Sequence, residues 1–186
     1  MMKKLLILLL FSLINCKQKD FKNYTFETIK VSDSASNIKW TNGKIVQLSS
    51  EPINDFYLDE KTHIKWANNK FICLRHSNGS DTWTDIILPL DNNNFKIIEN
   101  ALAYDRLNGI VVCETDSANY KLFAENINSG KRLYIGSYWE NCSSIFPHYC
   151  IDSISIKDKK LYVEWTLPNN IEKSAKKQIK KIRLNL

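Results

Sequence analysis

Two stretches of the chain repeat one grammar, Ile38-Lys39-Trp40-Thr41-Asn42-Gly43-Lys44-Ile45-Val46-Gln47-Leu48 and Ile64-Lys65-Trp66-Ala67-Asn68-Asn69-Lys70-Phe71-Ile72-Cys73-Leu74. Each reads as a β-rich run, a two-residue turn signal and a second β-rich run, which is the pattern of a hairpin. Asn-Gly is a leading type I′ signal because both turn residues must take positive φ. The grammar returns at Leu107-Asn108-Gly109-Ile110-Val111-Val112 and at Ile156-Lys157-Asp158-Lys159-Lys160-Leu161-Tyr162-Val163. Further strands are expected at 82–90, 119–126, 131–138 and 179–186, and a short helix at 170–178 with Ile171, Ala175 and Gln178 on one side. No long stretch keeps helical periodicity. The chain is therefore expected to be all-β, an antiparallel hairpin meander of sandwich-like form.

A small or incomplete β-propeller is the alternative. The turns at 42, 68, 108 and 158 are spaced by 26, 40 and 50 residues. The later spacings suit propeller blades and the first does not. With 186 residues, 44% hydrophobic and only 5 Gly and 4 Pro, the composition fits one globular domain and excludes collagen, low-complexity disorder and a polytopic membrane protein.

The amino end has a different character. Met1-Met2-Lys3-Lys4 precedes Leu5-Leu6-Ile7-Leu8-Leu9-Leu10-Phe11, a cationic end and an apolar stretch as in a secretory signal. The run stops by Ile14, short of the ~20 residues that a spanning helix needs. Leu13-Ile14-Asn15-Cys16 then resembles the lipobox of bacterial lipoproteins. That resemblance implies a diacylglycerol on the Cys16 thiol and cleavage that leaves Cys16 as the new amino terminus. Each buried CH₂ of an acyl chain contributes about 0.8 kcal/mol, so two or three chains make attachment permanent. The expected organisation is a signal peptide over 1–15, a lipidated tether over 16–23 and one β-rich domain over 24–186. Asp33-Ser34-Ala35, Asp116-Ser117-Ala118 and Asp152-Ser153-Ile154 resemble the Asp-Ser-aliphatic motif at which Bacteroidetes glycosylate exported proteins. Together with the lipobox they point to an exported chain anchored to a bacterial membrane, the outer membrane in that group.

Four more cysteines follow, an even number in an exported chain. Cys142 and Cys150 enclose a short loop and are expected to form a disulfide. Cys73 and Cys113 lie in apolar strand-like runs and either pair across a sheet or remain buried thiols. There is no CxxC or HxxxH spacing, so no metal is expected, and no motif calls for a cofactor.

The formal charge of +6 is unevenly placed. Lys3 and Lys4 belong to the leader. Lys173, Lys176, Lys177, Lys180, Lys181 and Arg183 crowd the carboxyl end, and the remainder is close to neutral. The cations are 22 Lys to 4 Arg, whereas nucleic-acid readers favour Arg, so no nucleic-acid partner is expected. The basic tail either sits against anionic headgroups or guards a sheet edge.

No GxSxG, HExxH, P-loop, GxGxxG or EF-hand loop is present. Ser36-Asn37-Ile38-Lys39 and Ser174-Ala175-Lys176-Lys177 match SxxK without its companion motifs. Of the histidines His63, His76 and His148, the second has Asp81 and Asp85 across the next turn. Trp40 and Trp66 hold equivalent places and read as packing residues. Tyr138, Trp139, Phe146, His148 and Tyr149 run from a strand into the Cys142–Cys150 loop, and rigid aromatics on a stapled loop suit a binding surface. The leading expectation is a non-enzymatic binding or interaction module with a protein or glycan partner. A glycan or peptide hydrolase built on Asp81, Asp85 and Glu164 is the rival, and an immunity or inhibitor lipoprotein is a third reading.

Overall fold

The computed structural model describes residues 21–79, 81–114, 122–136, 147–166 and 177–186. The fold is all-β, four antiparallel meanders laid down in chain order. Sheet I holds β1 (Thr25–Ser32), β2 (Ala35–Thr41), β3 (Val46–Leu48) and β4 (Ile53–Asn54). Sheet II holds β5 (His63–Ala67), β6 (Phe71–Ser77), β7 (Trp83–Pro89) and β8 (Lys96–Glu99). Sheet III holds β9 (Ala101–Asp105), β10 (Ile110–Glu114), β11 (Leu122–Asn126) and β12 (Arg132–Gly136). Sheet IV holds β13 (Ile151–Lys157), β14 (Lys160–Thr166) and β15 (Lys177–Arg183). Two 3₁₀ turns, Asp55–Leu58 and Pro147–Cys150, sit between sheets.

Side-chain alternation decides how these sheets stack, because successive residues of a strand point to opposite faces. On one face of sheet II, Ile72, Leu74, Ile86 and Leu88 pack against Ile38, Trp40 and Ile53 of sheet I. On its other face Phe71, Cys73, Ile87 and Ile98 meet Ala101, Val111 and Cys113 of sheet III. The opposite face of sheet III, through Ile110, Val112, Leu122 and Ala124, meets Leu161 and Val163 of sheet IV and Leu184 just beyond β15. Sheets II and III are thus covered on both faces, which is why β6, β7 and β10 are buried almost without interruption. Sheets I and IV are covered on one face each, and among the described residues no apolar cluster joins them. The result is an open stack of meanders.

The turns follow a local chemistry. Asn42 Oδ1 accepts from the amides of Lys44 and Ile45, and Asn68 Oδ1 accepts from those of Lys70 and Phe71. The expected type I′ geometry is absent at Asn42-Gly43, where Gly43 alone has positive φ, and appears instead at Asp158-Lys159, with φ of 51° and 56°. The expected helix over 170–178 lies mostly outside the described residues, but Gln178 belongs to β15. Ile182 and Leu184 pack on the third core as a closing segment.

Candidate functional site

Three one-residue bulges converge on one cleft. Ile64 pairs with Leu74 and Trp66 with Cys73, which leaves Lys65 as an extra residue in β5. Ala103 pairs with Val112 and Ala101 with Cys113, leaving Leu102 extra in β9. Ile151 pairs with Trp165 and Ser153 with Glu164, leaving Asp152 extra in β13. Bulges re-aim side chains and recur beside functional sites. Here Lys65, Leu102 and Asp152 all line a cavity of about 240 Å³, with Arg75, Trp83, His148 and Ser153 among the other walls. Sheets II, III and IV all contribute to it.

Asp85 organises the charge beside this cavity. Its side chain has no exposed surface. Arg75 Nε and Nη2 donate to its two oxygens at 2.6 and 2.8 Å, Tyr104 Oη donates at 2.7 Å, and Lys65 Nζ lies at 3.5 Å. A bidentate arginine pair of this kind is both strong and geometrically strict. Arg75 also donates to the Ala101 carbonyl and lies 4.7 Å over the Trp83 ring, whose Nε1 donates to the same carbonyl. Burial holds the Lys65 ammonium below its ordinary range, opposed by Asp85, and burial pushes the Tyr104 phenol well up.

His148 closes the other side. Its ring lies 5.5 Å from Trp83 and 4.5 Å from Tyr149, and its Nδ1 is 2.9 Å from Glu114 Oε2. Glu114 is buried and its Oε1 has no hydrogen-bond partner among the described residues. Burial raises its carboxyl, while His148 pulls it back down. Asn100 forms the one-residue link from β8 to β9 at φ 45° and ties the parts together. Its amide donates to the Trp83 carbonyl, its side-chain oxygen accepts from the Trp83 amide, and its carbonyl accepts from Glu114.

Several expected pairings are replaced. His76 lies opposite Thr84, with Nδ1 3.1 Å from Asp59 and 3.3 Å from Thr62 Oγ1, so it does not pair with Asp85; the register places Arg75 there. Each carboxylate of the hydrolase alternative has a partner of its own: Asp81 is bonded to the exposed Tyr149, Asp85 holds Arg75, and Glu164 accepts from Ser153 at 3.2 Å. Of the two alternatives for Cys73 and Cys113, a disulfide or buried thiols, the structure shows the second. Both are free thiols packed as small hydrophobes in the core between sheets II and III, and burial pushes Cys113 up to about 11 and Cys73 higher. Cys150 is in disulfide linkage. Tyr138, Trp139, Phe146 and Cys142 lie outside the described residues, as does Cys16.

Of the expected aromatic surface, His148 therefore stands on the cleft and Tyr149 beside it. Lys65, Arg75, Trp83 and Asp152 were not singled out as a binding group by their sequence pattern. Their only signal was an arginine and an aspartate at mirrored positions of a hairpin, at 75 and 85. Among the described residues no cluster of His, Cys, Asp and Glu is arranged to hold a metal ion. Comparison with protein-family models and with curated proteins finds no match to this chain.

Proposed function

We propose that the chain is an exported outer-membrane lipoprotein, anchored through Cys16, whose β-domain is a non-enzymatic binding module with the Lys65–Arg75–Trp83–His148 cleft as its contact surface. The observation that carries this reading is the convergence of three bulges on one cavity. A bulge interrupts a ladder, and three at one place mark a surface arranged for contact.

The charges indicate what the cleft accepts. Its fully buried carboxylate is engaged by Arg75, Lys65 and Tyr104, so it is a structural anion and not a nucleophile or general base poised for a substrate. Arg75 Nη1 has no hydrogen-bond partner among the described residues, and Lys65 reaches Asp85 only at 3.5 Å. These donors suit a carboxylate or other acceptor-rich group on a protein or glycan partner. The disulfide at Cys150 supports a pairing with Cys142, which would staple the loop leading to His148.

The test uses a photo-crosslinking residue at Asp152 in intact cells, with the same residue at Asn128 as control. A discrete adduct at Asp152 that is lost in Lys65→Gln supports the reading. Equal labelling at both positions overturns it. Anchorage is checked separately, since Cys16→Ser should move the protein to the aqueous phase on detergent partition.

A further inference from the structure

We infer that the outer face of sheet I is the surface that lies against the bilayer, an inference that rests on the Cys16 anchor proposed above. The two ends of the stack differ in chemistry. The outer face of sheet IV presents rows such as Ser155–Tyr162–Lys181 and Lys157–Lys160–Arg183, a polar end cap. The outer face of sheet I presents Ile29, Val46 and Leu48, which are 43%, 61% and 46% exposed. Val31, the extra residue of the β1 bulge, and Ile45, in the adjoining turn, are exposed at its margin. Five of the eleven exposed large hydrophobics among the described residues therefore lie on or beside this one sheet. Its facing charges, Glu27 and Lys39, neutralise each other at 2.6 Å. Terminal layers of stacked architectures normally turn a polar face to solvent. Sheet IV does and sheet I does not.

Chain length identifies the occupant. Eight residues separate Cys16 from Thr25, the first residue of β1, and an extended chain spans at most ~3.6 Å per residue, so the lipid lies within about 30 Å of sheet I. Sheet I packs on sheet II, whereas sheet IV packs on sheet III, so sheet I is the layer that the tether enters. The anchored end of the stack is thus the end with exposed apolar side chains. Val, Leu and Ile side chains at that surface enter the headgroup boundary, where the lipid already confines them.

The experiment reads depth in the full-length lipidated protein. Val46→Cys or Leu48→Cys on sheet I, and Ile179→Cys on sheet IV, are labelled with a nitrobenzoxadiazole dye. Cys73 and Cys113 stay unlabelled at neutral pH because both thiols are buried and held protonated. Each protein is reconstituted into phosphatidylcholine vesicles containing doxyl-labelled lipid. The inference expects blue-shifted, doxyl-quenched emission at 46 and 48, and aqueous, unquenched emission at 179. Co-flotation with vesicles but aqueous emission at 46 and 48 overturns the docking face and leaves the anchor standing. Blue-shifted emission without doxyl quenching means that protein, such as a second copy, covers the face, and also overturns it. Failure to float overturns the anchor and the inference together.

Discussion

Asp85 sits where removal of one atom type disturbs three partners. In Asp85→Asn the side chain keeps its volume but leaves the Arg75 guanidinium, 21% exposed, without its counter-charge. Breaking a buried pair on one side costs about 3–5 kcal/mol, and part of Arg75's exposure discounts that towards the lower figure. Urea denaturation of Asp85→Asn should show a loss of about 3 kcal/mol, and an unchanged midpoint would mean that the ion cluster contributes nothing. Glu114 gives a pH dependence of defined sign. Burial raises its folded carboxyl above the ordinary 4.5, so the folded state binds the proton more tightly than the unfolded one. Its contribution to stability is complete below 4.5 and is lost as pH rises through the folded value. Glu114→Gln cannot ionise, so its stability relative to the native protein should improve as pH is raised from the acid side of that window. A constant difference across thermal melts at several pH values would show that Glu114 keeps its ordinary pKa.

Strand positions and turn positions were largely legible in the residues, while bulges were not. The alternation of β2 places Ile38 and Trp40 on one buried face, as the hairpin grammar implies. In its echo the extra residue Lys65 turns Ile64 towards sheet I and Trp66 towards sheet III. Two near-identical triplets thus have different packing, because a one-residue slip exchanges the faces of a strand and leaves no mark in composition. That same slip brings Lys65 to the cleft, so the site was hidden for the same physical reason. Strands β1 and β8 were also not anticipated: seven of the eight β1 residues, all but the half-buried Phe26, are exposed. At the level of the hairpin, the Asp158-Lys159 turn places a lysine at φ 56°. A left-handed conformation costs a residue with Cβ about 1–2 kcal/mol, part of which glycine returns through its looser unfolded chain. Lys159→Gly should therefore stabilise the protein by up to about 1 kcal/mol, seen as a rise in Tm; a fall would mean that the turn is not of this type in solution.

Across the molecule, burial grades from the middle of the stack to its ends. Amides of β6, β7 and β10, covered on both faces, should exchange with solvent most slowly, and those of β1 and β15 most quickly. Hydrogen exchange followed by mass spectrometry reads this directly, and uniform protection would show that the four sheets open as one unit. The place of β15 at a sheet edge also suits Lys177, Lys180 and Lys181 to edge protection, at the end of the stack remote from the tether. The single-residue link at Asn100 has a consequence in time as well as in space. Every sheet is made from contiguous chain, and among the described residues each core joins consecutive sheets. Strands pair within one stretch of chain, so loop-closure entropy for forming each sheet is low for an all-β protein. A chain made from its amino end can complete sheets I and II before sheet III exists. Until β9 follows Asn100, however, Phe71, Cys73, Ile87 and Ile98 form a bare apolar face. The interval between residues 100 and 136 is thus when the nascent protein is most open to aggregation, and when a chaperone would have something to hold.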